Sequence, residues 1–474
     1  MPTLAREAAG RYHHDMENAA TSPSALPRRL GFWSAVAVLV GSTIGSGIFR
    51  SPAGIADKLP GPLPLLAVWV TGGVLALCGA LTLAEIAGAL PRTGGLYVFI
   101  REGWGRLPAF LFGWAEFAVI RAAALGAIAT TFAEYFYRVM GRDPASEGVH
   151  YLAAVAIAVT AIVNYRGLRW GSLVQNITTV AKFGGLLIIV LAALAIGLPR
   201  TGGHFTPAAP AGSFSVSAFG LALVSVLWAY DGWADLSFVA GEVKDPRRVL
   251  PRALITGTLA VIGIYALANL AYLAVFSIEE IRGSRLVAAE VAQRLIGAPG
   301  VILVASTVML STFGTLNGSI LTAPRIFFAM ADDGLFFRRV ASVHPRFQTP
   351  HVAIAMTACL GIAFVLVRSF DQLADAFVIA IVPFYALGVA AVFTLRRRAD
   401  YDPSFRVPGY PVVPALFVIA TIYLLLNAII DPSSRMATLG VLGTILLGIP
   451  LYHLTVGKRP AAPRGVPAGK VAGP

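Results

Sequence analysis

Apolar stretches of about 18 or more residues, the length a helix needs to cross a bilayer, recur along almost the whole chain. They fall near 33–57, 63–90, 107–135, 150–164, 170–197, 214–240, 250–276, 299–330, 351–367, 372–395, 412–430 and 436–455, the fourth being short. Hydrocarbon offers no water to pair an exposed backbone, so each run must satisfy its own N–H and C=O groups. The expectation is an all-α polytopic membrane protein with about 12 transmembrane helices. With 57% hydrophobic and 13% charged residues and a mean hydropathy of +0.74, the chain is not a soluble domain of ordinary make-up.

A formal charge of +13 would suit a nucleic-acid binder if it were collected on one domain, but the basic residues are scattered among many short loops. Topology accounts for them instead. With a cytoplasmic N-terminus, most of the 37 Lys and Arg fall in inner loops and the two tails, as the positive-inside rule asks. An even number of spans then leaves both termini in the cytoplasm of a plasma (inner) membrane. The tail 1–30 is polar and has no apolar core of the cleavable-signal kind, so insertion is expected to begin with the first span. The tail 456–474 reads as basic, Pro- and Gly-rich chain near an anionic lipid surface. Cys78 and Cys359 both fall within spans, where small apolar packing is the expectation. No metal-ligand spacing and no cofactor motif is present.

Two spans are interrupted. The first carries Gly41-Ser-Thr-Ile-Gly-Ser-Gly47 in its middle, and the sixth, about 190 residues on, carries Trp228-Ala-Tyr-Asp-Gly-Trp-Ala234. Unwound backbone at membrane depth is tolerated only where it is buried in protein or lines a cavity, and an intramembrane carboxylate such as Asp231 is by default a functional group. Gly41 and Gly45 also spell a small-xxx-small packing face, which competes with a binding role for the first break. Two interrupted helices in corresponding halves point to a secondary transporter with inverted repeats. A half-helix leaves free N–H groups at one end and free carbonyls at the other, a pairing that suits an amino acid zwitterion.

These motifs resemble the amino acid-polyamine-organocation (APC) superfamily, and within it the L-type amino acid transporter branch and its bacterial homologues. Gly45-Ser-Gly-Ile-Phe49 resembles the family's substrate loop. Ala84-Glu85 with Pro91-Arg-Thr-Gly-Gly-Leu-Tyr97 resembles the end of its second helix and first inner loop. Trp228-Ala-Tyr-Asp-Gly-Trp233, running through Gly241-Glu-Val-Lys-Asp-Pro246 to Pro251-Arg252, resembles its sixth helix and the loop beyond. The resemblance implies a LeuT-like 5+5 inverted repeat with discontinuous helices 1 and 6: repeats at 31–197 and 214–397, and two appended helices within 412–455. It also implies that the N–H groups of Ser46 and Gly47 hold a substrate carboxylate, that carbonyls near Thr43, Ile44, Trp228 and Asp231 receive the ammonium, and that Gly45 and Gly232 allow close approach. Trp228 stands where family members place an aromatic that closes over the substrate; Tyr230 and Trp233 are expected to pack the bundle or face lipid.

Lys182, midway along the fifth span in Val180-Ala-Lys-Phe-Gly-Gly185, is too far from either end to snorkel and needs a polar partner. In sodium-independent members a lysine at the matching place fills the ion's volume, which implies transport without sodium; a purely structural bond to a carbonyl is the alternative. Arg121 resembles the branch's third-helix arginine, although Ala122 replaces the proline that commonly follows, and its candidate partners are Glu116, Asp231 and Glu134. Asp231 itself has three readings: favouring cationic side chains, taking up a proton, or capping the broken sixth helix. Asn317, within Gly314-Thr-Leu-Asn-Gly-Ser319, either faces the site or packs helix on helix. The mixed charges of Glu242-Val-Lys-Asp-Pro-Arg-Arg248 suit interhelical pairs as well as a solvated face.

Residues 136–149 contain no cysteine, so the disulfide-linked partner glycoprotein of animal members is not expected. Ala234 stands where some relatives carry an asparagine near the substrate. The leading expectation is sodium-independent exchange of neutral, and by extension cationic, L-amino acids by alternating access, with a proton-coupled amino acid or polyamine carrier as the alternative and a non-transporting sensor behind it. A membrane enzyme is not expected: no nucleophile with a base and no phosphate-binding loop is found.

Overall fold

The computed structural model describes residues 30–92, 94–166, 184–337, 339–340, 342, 344–347 and 349–456. The described residues form helices joined by loops, with a single isolated parallel bridge between Leu30 and Val243. The elements are α1 (Phe32–Thr43), α2 (Gly47–Lys58), α3 (Pro62–Ala89), α4 (Leu96–Trp104), α5 (Arg106–Val139, with a π-helical turn at Glu116–Ile120) and α6 (Gly148–Arg166). They continue with α7 (Gly184–Thr201), α8 (Val216–Tyr230), α9 (Asp235–Phe238), α10 (Pro246–Val275), α11 (Ile278–Gly283), α12 (Val287–Ile296) and α13 (Ala298–Asp332). Last come α14 (His351–Val367), α15 (Phe370–Leu395), α16 (Val412–Ile430), α17 (Pro432–Leu446) and α18 (Gly448–Thr455).

Among the described residues nine helices are long and apolar enough to cross a membrane, with α17 and α18 counted together. The pair α1 and α2, bent by 41° at its break, makes a tenth, while α8 and α14 are shorter apolar helices. The molecule is therefore an all-α polytopic membrane protein. Apolar side chains facing outward, such as Leu187, Ile419, Leu426 and Leu454, are what a lipid-facing surface requires.

The interior is closed by small residues. Gly47 lies so close to α8 that an added Cβ would stand 2.3 Å from the Ala229 Cα, and at Gly72 of α3 it would meet the Val226 side chain at 2.4 Å. Helix–helix association in lipid depends on this kind of approach. Prolines inside helices free carbonyls that other elements then satisfy. Pro52 cannot donate to Ile48, whose carbonyl accepts from the Tyr272 hydroxyl at 3.2 Å, and Pro251 leaves the Arg247 carbonyl to the Ser404 hydroxyl.

At one end of the bundle the segment between α15 and α16 is bound down by Glu85. Its buried carboxylate accepts from Arg396 at 2.6 and 2.8 Å, from the Val407 N–H at 2.6 Å and from Tyr401 at 3.2 Å. Nearby, Arg247 pairs with Asp402 at 2.7 Å, and Tyr97 and Arg101 of α4 both reach Asp333 beyond α13. The opposite end is capped by the short helices α11 and α12. There the Glu280 carboxyl is held below its usual range by the hydrogen bond from Arg294, with the Ser277 N–H adding to the effect.

Candidate functional site

Both interrupted spans break where the sequence places them, and the breaks meet. In the first, the Thr43 hydroxyl turns back to the Leu39 carbonyl at 2.9 Å, the Gly45 N–H bonds the Thr43 carbonyl at 2.9 Å, and α2 restarts at Gly47 with Ser46 as its N-cap. Among the described residues the N–H groups of Ser46, Gly47 and Ile48 have no hydrogen-bond partner, as the first turn of a helix leaves them. In the second, α8 ends at Tyr230 and the chain turns through Asp231 to Ala234 before α9. Gly232 has φ +111°, and a Cβ there would lie 2.7 Å from the Thr43 nitrogen. Only glycine lets the second break rest on the backbone of the first.

A tyrosine fastens them. The Tyr265 hydroxyl of α10 lies 2.9 Å from the Thr43 carbonyl and 2.8 Å from the Ala229 carbonyl, and its ring packs edge-on to Trp69 and against Tyr230. Two turns along, Tyr272 reaches Ile48, and Tyr135 of α5 donates to the Phe49 carbonyl at 3.2 Å. Three phenols thus hold carbonyls of the broken first span. The 7-residue spacing of Tyr265 and Tyr272, which puts both on one helix face, was a readable signal that the sequence analysis passed over.

The expected site residues do not all converge. Thr43, Ile44, Gly45, Ser46, Gly47 and Gly232 sit at the junction, with Gly45 facing Thr315 of α13. Trp228 is buried on α8 against Phe377 at 5.1 Å and Phe370 at 6.2 Å, both edge-on. Its own carbonyl accepts the Asp231 N–H at 3.2 Å, which leaves it a second lone pair. Asp231 does not cap: its carboxylate accepts from the Tyr385 hydroxyl of α15 at 2.6 Å, and α9 has no side-chain cap. Tyr230 and Trp233 both face inward rather than lipid, Trp233 lying against Tyr385 and Phe417.

Arg121 pairs with Glu116 at 3.0 Å, one π-turn earlier on the same helix, with Asp231 and Asp235 within its electrostatic reach. Glu134, another expected partner, instead takes Arg50 and Arg285. Asn317 faces Asn164 of α6 at 2.8 Å, a helix–helix link. Lys182 lies outside the described residues. Asp235, bonded by Ser42 across the junction, was not singled out from sequence because it follows the motif rather than belonging to it.

An apolar pocket lies on the other side of the second break, lined by Leu75, Leu227, Val378 and Phe417, with Asp231 and Tyr385 as its polar edge. Its lining shares Asp231 and Trp233 with the second break but takes no residue from α1 or α13. Among the described residues no group of three His, Cys, Asp or Glu could hold a metal ion.

Comparison with known proteins agrees with this architecture. The family model described as amino acid permease matches residues 30–449. The chain is 32% identical to the serine/threonine exchanger SteT of Bacillus subtilis (strain 168) over 91% of its own length and 98% of the relative's. It is 33% identical to the b(0,+)-type amino acid transporter 1 of Homo sapiens, over 91% and 89% of the two chains. With the large neutral amino acids transporter small subunit 2 of Mus musculus it shares 31% identity over 91% and 82%.

Proposed function

The chain belongs to the amino acid permease family of the APC superfamily, and from that premise we propose that it is a sodium-independent exchanger of L-amino acids working by alternating access. The observation that carries the reading is the junction itself. Two helix breaks at mid-bundle abut through Gly232 and Gly47, and free N–H groups at the start of α2 lie beside the carbonyl-bearing end of α1. An α-carboxylate suits the Ser46 and Gly47 N–H groups, and an α-ammonium suits the carbonyls near Thr43, Ile44, Trp228 and Asp231. Trp228 closes over this point, with its edge-on partners Phe370 and Phe377 holding it in place.

Relatives named as exchangers and amino acid transporters support exchange and this substrate class. The ten-span count plus the two shorter apolar helices supports twelve spans, arranged as repeats at 31–197 and 214–397 with the remainder appended. In this reading both termini are cytoplasmic, the membrane is the plasma (inner) membrane, no disulfide-linked subunit is required, and the chain is a carrier rather than an enzyme.

The substrate is a neutral amino acid, and the Asp231 carboxylate extends the range toward cationic side chains. A second reading, proton-coupled uptake, is favoured by the same carboxylate standing against Tyr385. Labelled amino acids offered to proteoliposomes separate the readings. Accumulation only in amino-acid-loaded vesicles, unchanged when choline replaces sodium, is the expected result. Uptake into empty vesicles driven by a proton gradient would establish the second reading, and binding without uptake would leave a sensor. In the same assay Trp228→Phe, which keeps an aromatic against Phe370 and Phe377, is expected to retain exchange that Trp228→Ala loses.

A further inference from the structure

We propose that Arg50, Glu134 and Arg285 form a lock that holds the α11–α12 face of the bundle closed over the site, and that Arg50 passes the state of this lock to Trp228. The proposal rests on the alternating-access reading only for its role in transport; the lock itself is a statement about conformation.

Glu134 of α5 is completely buried, yet it takes guanidinium groups from two other elements. Arg50 of α2 donates through Nε to one carboxylate oxygen at 2.9 Å, and Arg285, in the linker between α11 and α12, donates to the other at 3.0 Å. A carboxylate without water or cations at such a site is costly, so the pairs can only be exchanged for hydration, not simply dropped. Arg282 ties the same linker region to the far end of α2, donating to the Leu59 carbonyl at 3.2 Å. The capping helices, α2 and α5 therefore cannot separate without wetting Glu134.

Arg50 also faces α15, with Asp371 at 3.7 Å and its guanidinium 4.9 Å from the centre of the Phe370 ring. Phe370 in turn meets Trp228 edge-on. An unbroken line of contacts thus runs from the capping linker, through a buried carboxylate and one arginine, to the aromatic over the glycine junction. Arg50 follows Gly47 by three residues on one rigid helix, so its movement and that of the α2 N-terminus are coupled. Discrete making and breaking of such pairs is how packed bundles switch between two states. Arg50 falls inside the first apolar run, near 33–57, where no local pattern names its partner.

The test reads accessibility rather than transport. Gly54 lies on α2 facing α15, where an added Cβ would stand 3.3 Å from the Asp371 carboxylate. Gly54→Cys, placed in a chain carrying Cys78→Ala and Cys359→Ala, is purified in detergent and its labelling by a maleimide is timed. Arg285→Ala should speed labelling about threefold or more, the scale that loss of a half-open ion pair allows. Arg285→Lys should restore the original rate. Arg294→Ala, in the same cap but paired with Glu280, should leave it unchanged.

Equal labelling in Arg285→Ala and the parent, or equal acceleration by Arg294→Ala, would overturn the lock. Because Arg285 is half exposed, Arg285→Ala is expected to fold, and monodispersity on gel filtration checks this. If accessibility shifts as stated while the parent protein exchanges no amino acid in proteoliposomes, the lock stands and the transport reading falls.

Discussion

Tyr265 has one hydroxyl proton and two carbonyl partners, Thr43 and Ala229, at nearly equal distances. One proton cannot satisfy both, so the carbonyl left over retains acceptor capacity at the meeting point of two broken helices, where a substrate ammonium is proposed to arrive. Deleting the hydroxyl while keeping the ring isolates this function, because the packing against Trp69 and Tyr230 survives. Leaving a buried carbonyl without its donor costs about 1–3 kcal/mol. We therefore expect Tyr265→Phe to fold with a lowered melting temperature and, with both carbonyls then open to the ammonium, to lower the KM for exchange. An unchanged KM with a reduced maximal rate would place Tyr265 in the conformational step instead. Neither carbonyl's partner could be read in the sequence, since Tyr265 lies 222 residues from Thr43 and looks there like one more buried aromatic.

At the scale of elements, the breaks were legible and the contact between them was not. Glycines and hydroxyls inside an apolar run announce a local departure from helix. That Gly232 would rest on Thr43 depends on how α8 packs against α1 and α2, which no local pattern encodes. Gly232→Ala tests that packing. A side chain at φ +111° costs about 1–3 kcal/mol in backbone strain alone, and its Cβ would also press on the Thr43 nitrogen at 2.7 Å. The expected outcome is a clear fall in melting temperature with loss of exchange. Gly440→Ala in α17, where an added Cβ meets nothing within 4 Å, should leave both unchanged or slightly improved. The capping helices carry a pH signature of their own. Glu280 has its carboxyl held below the ordinary range by Arg294, so the stability it contributes is full above the unfolded value, about 4.3, and is lost as pH falls through the lower folded value. The melting-temperature gap between the parent and Glu280→Gln should therefore be present at neutral pH and close as the solution is acidified; a gap that widened in acid would contradict the pairing.

For the molecule as a whole, helix class and most span positions were legible because hydrophobic length is a strong local signal. Partnerships between charges were less so. The sequence offered three carboxylates for Arg121, and burial chose Glu116 because it lies one π-turn away on the same helix; Glu134 went to Arg50 and Arg285, whose pairing depends on the capping helices folding back over α2. Asp231 found a phenol on α15 instead of a helix end. The Glu134 and Asp231 outcomes share a cause, since a buried ion takes the partner that three-dimensional packing supplies, whereas Arg121 found its partner five residues away on its own helix. Lys182 presents the same problem at the largest scale. A lysine at the middle of an apolar span needs carbonyls or a carboxylate around it, and we propose that its ammonium takes the place of a bound cation in this chain. A covalently attached charge cannot leave during the cycle, so exchange should be indifferent to sodium and should fail when the charge is removed. Lys182→Ala is accordingly expected to reach the membrane and purify as a monodisperse species while losing most exchange activity, with added sodium unable to restore it. Wild-type exchange in that variant would dismiss the idea, and sodium-dependent recovery would show that the freed volume is an ion site the lysine had been filling.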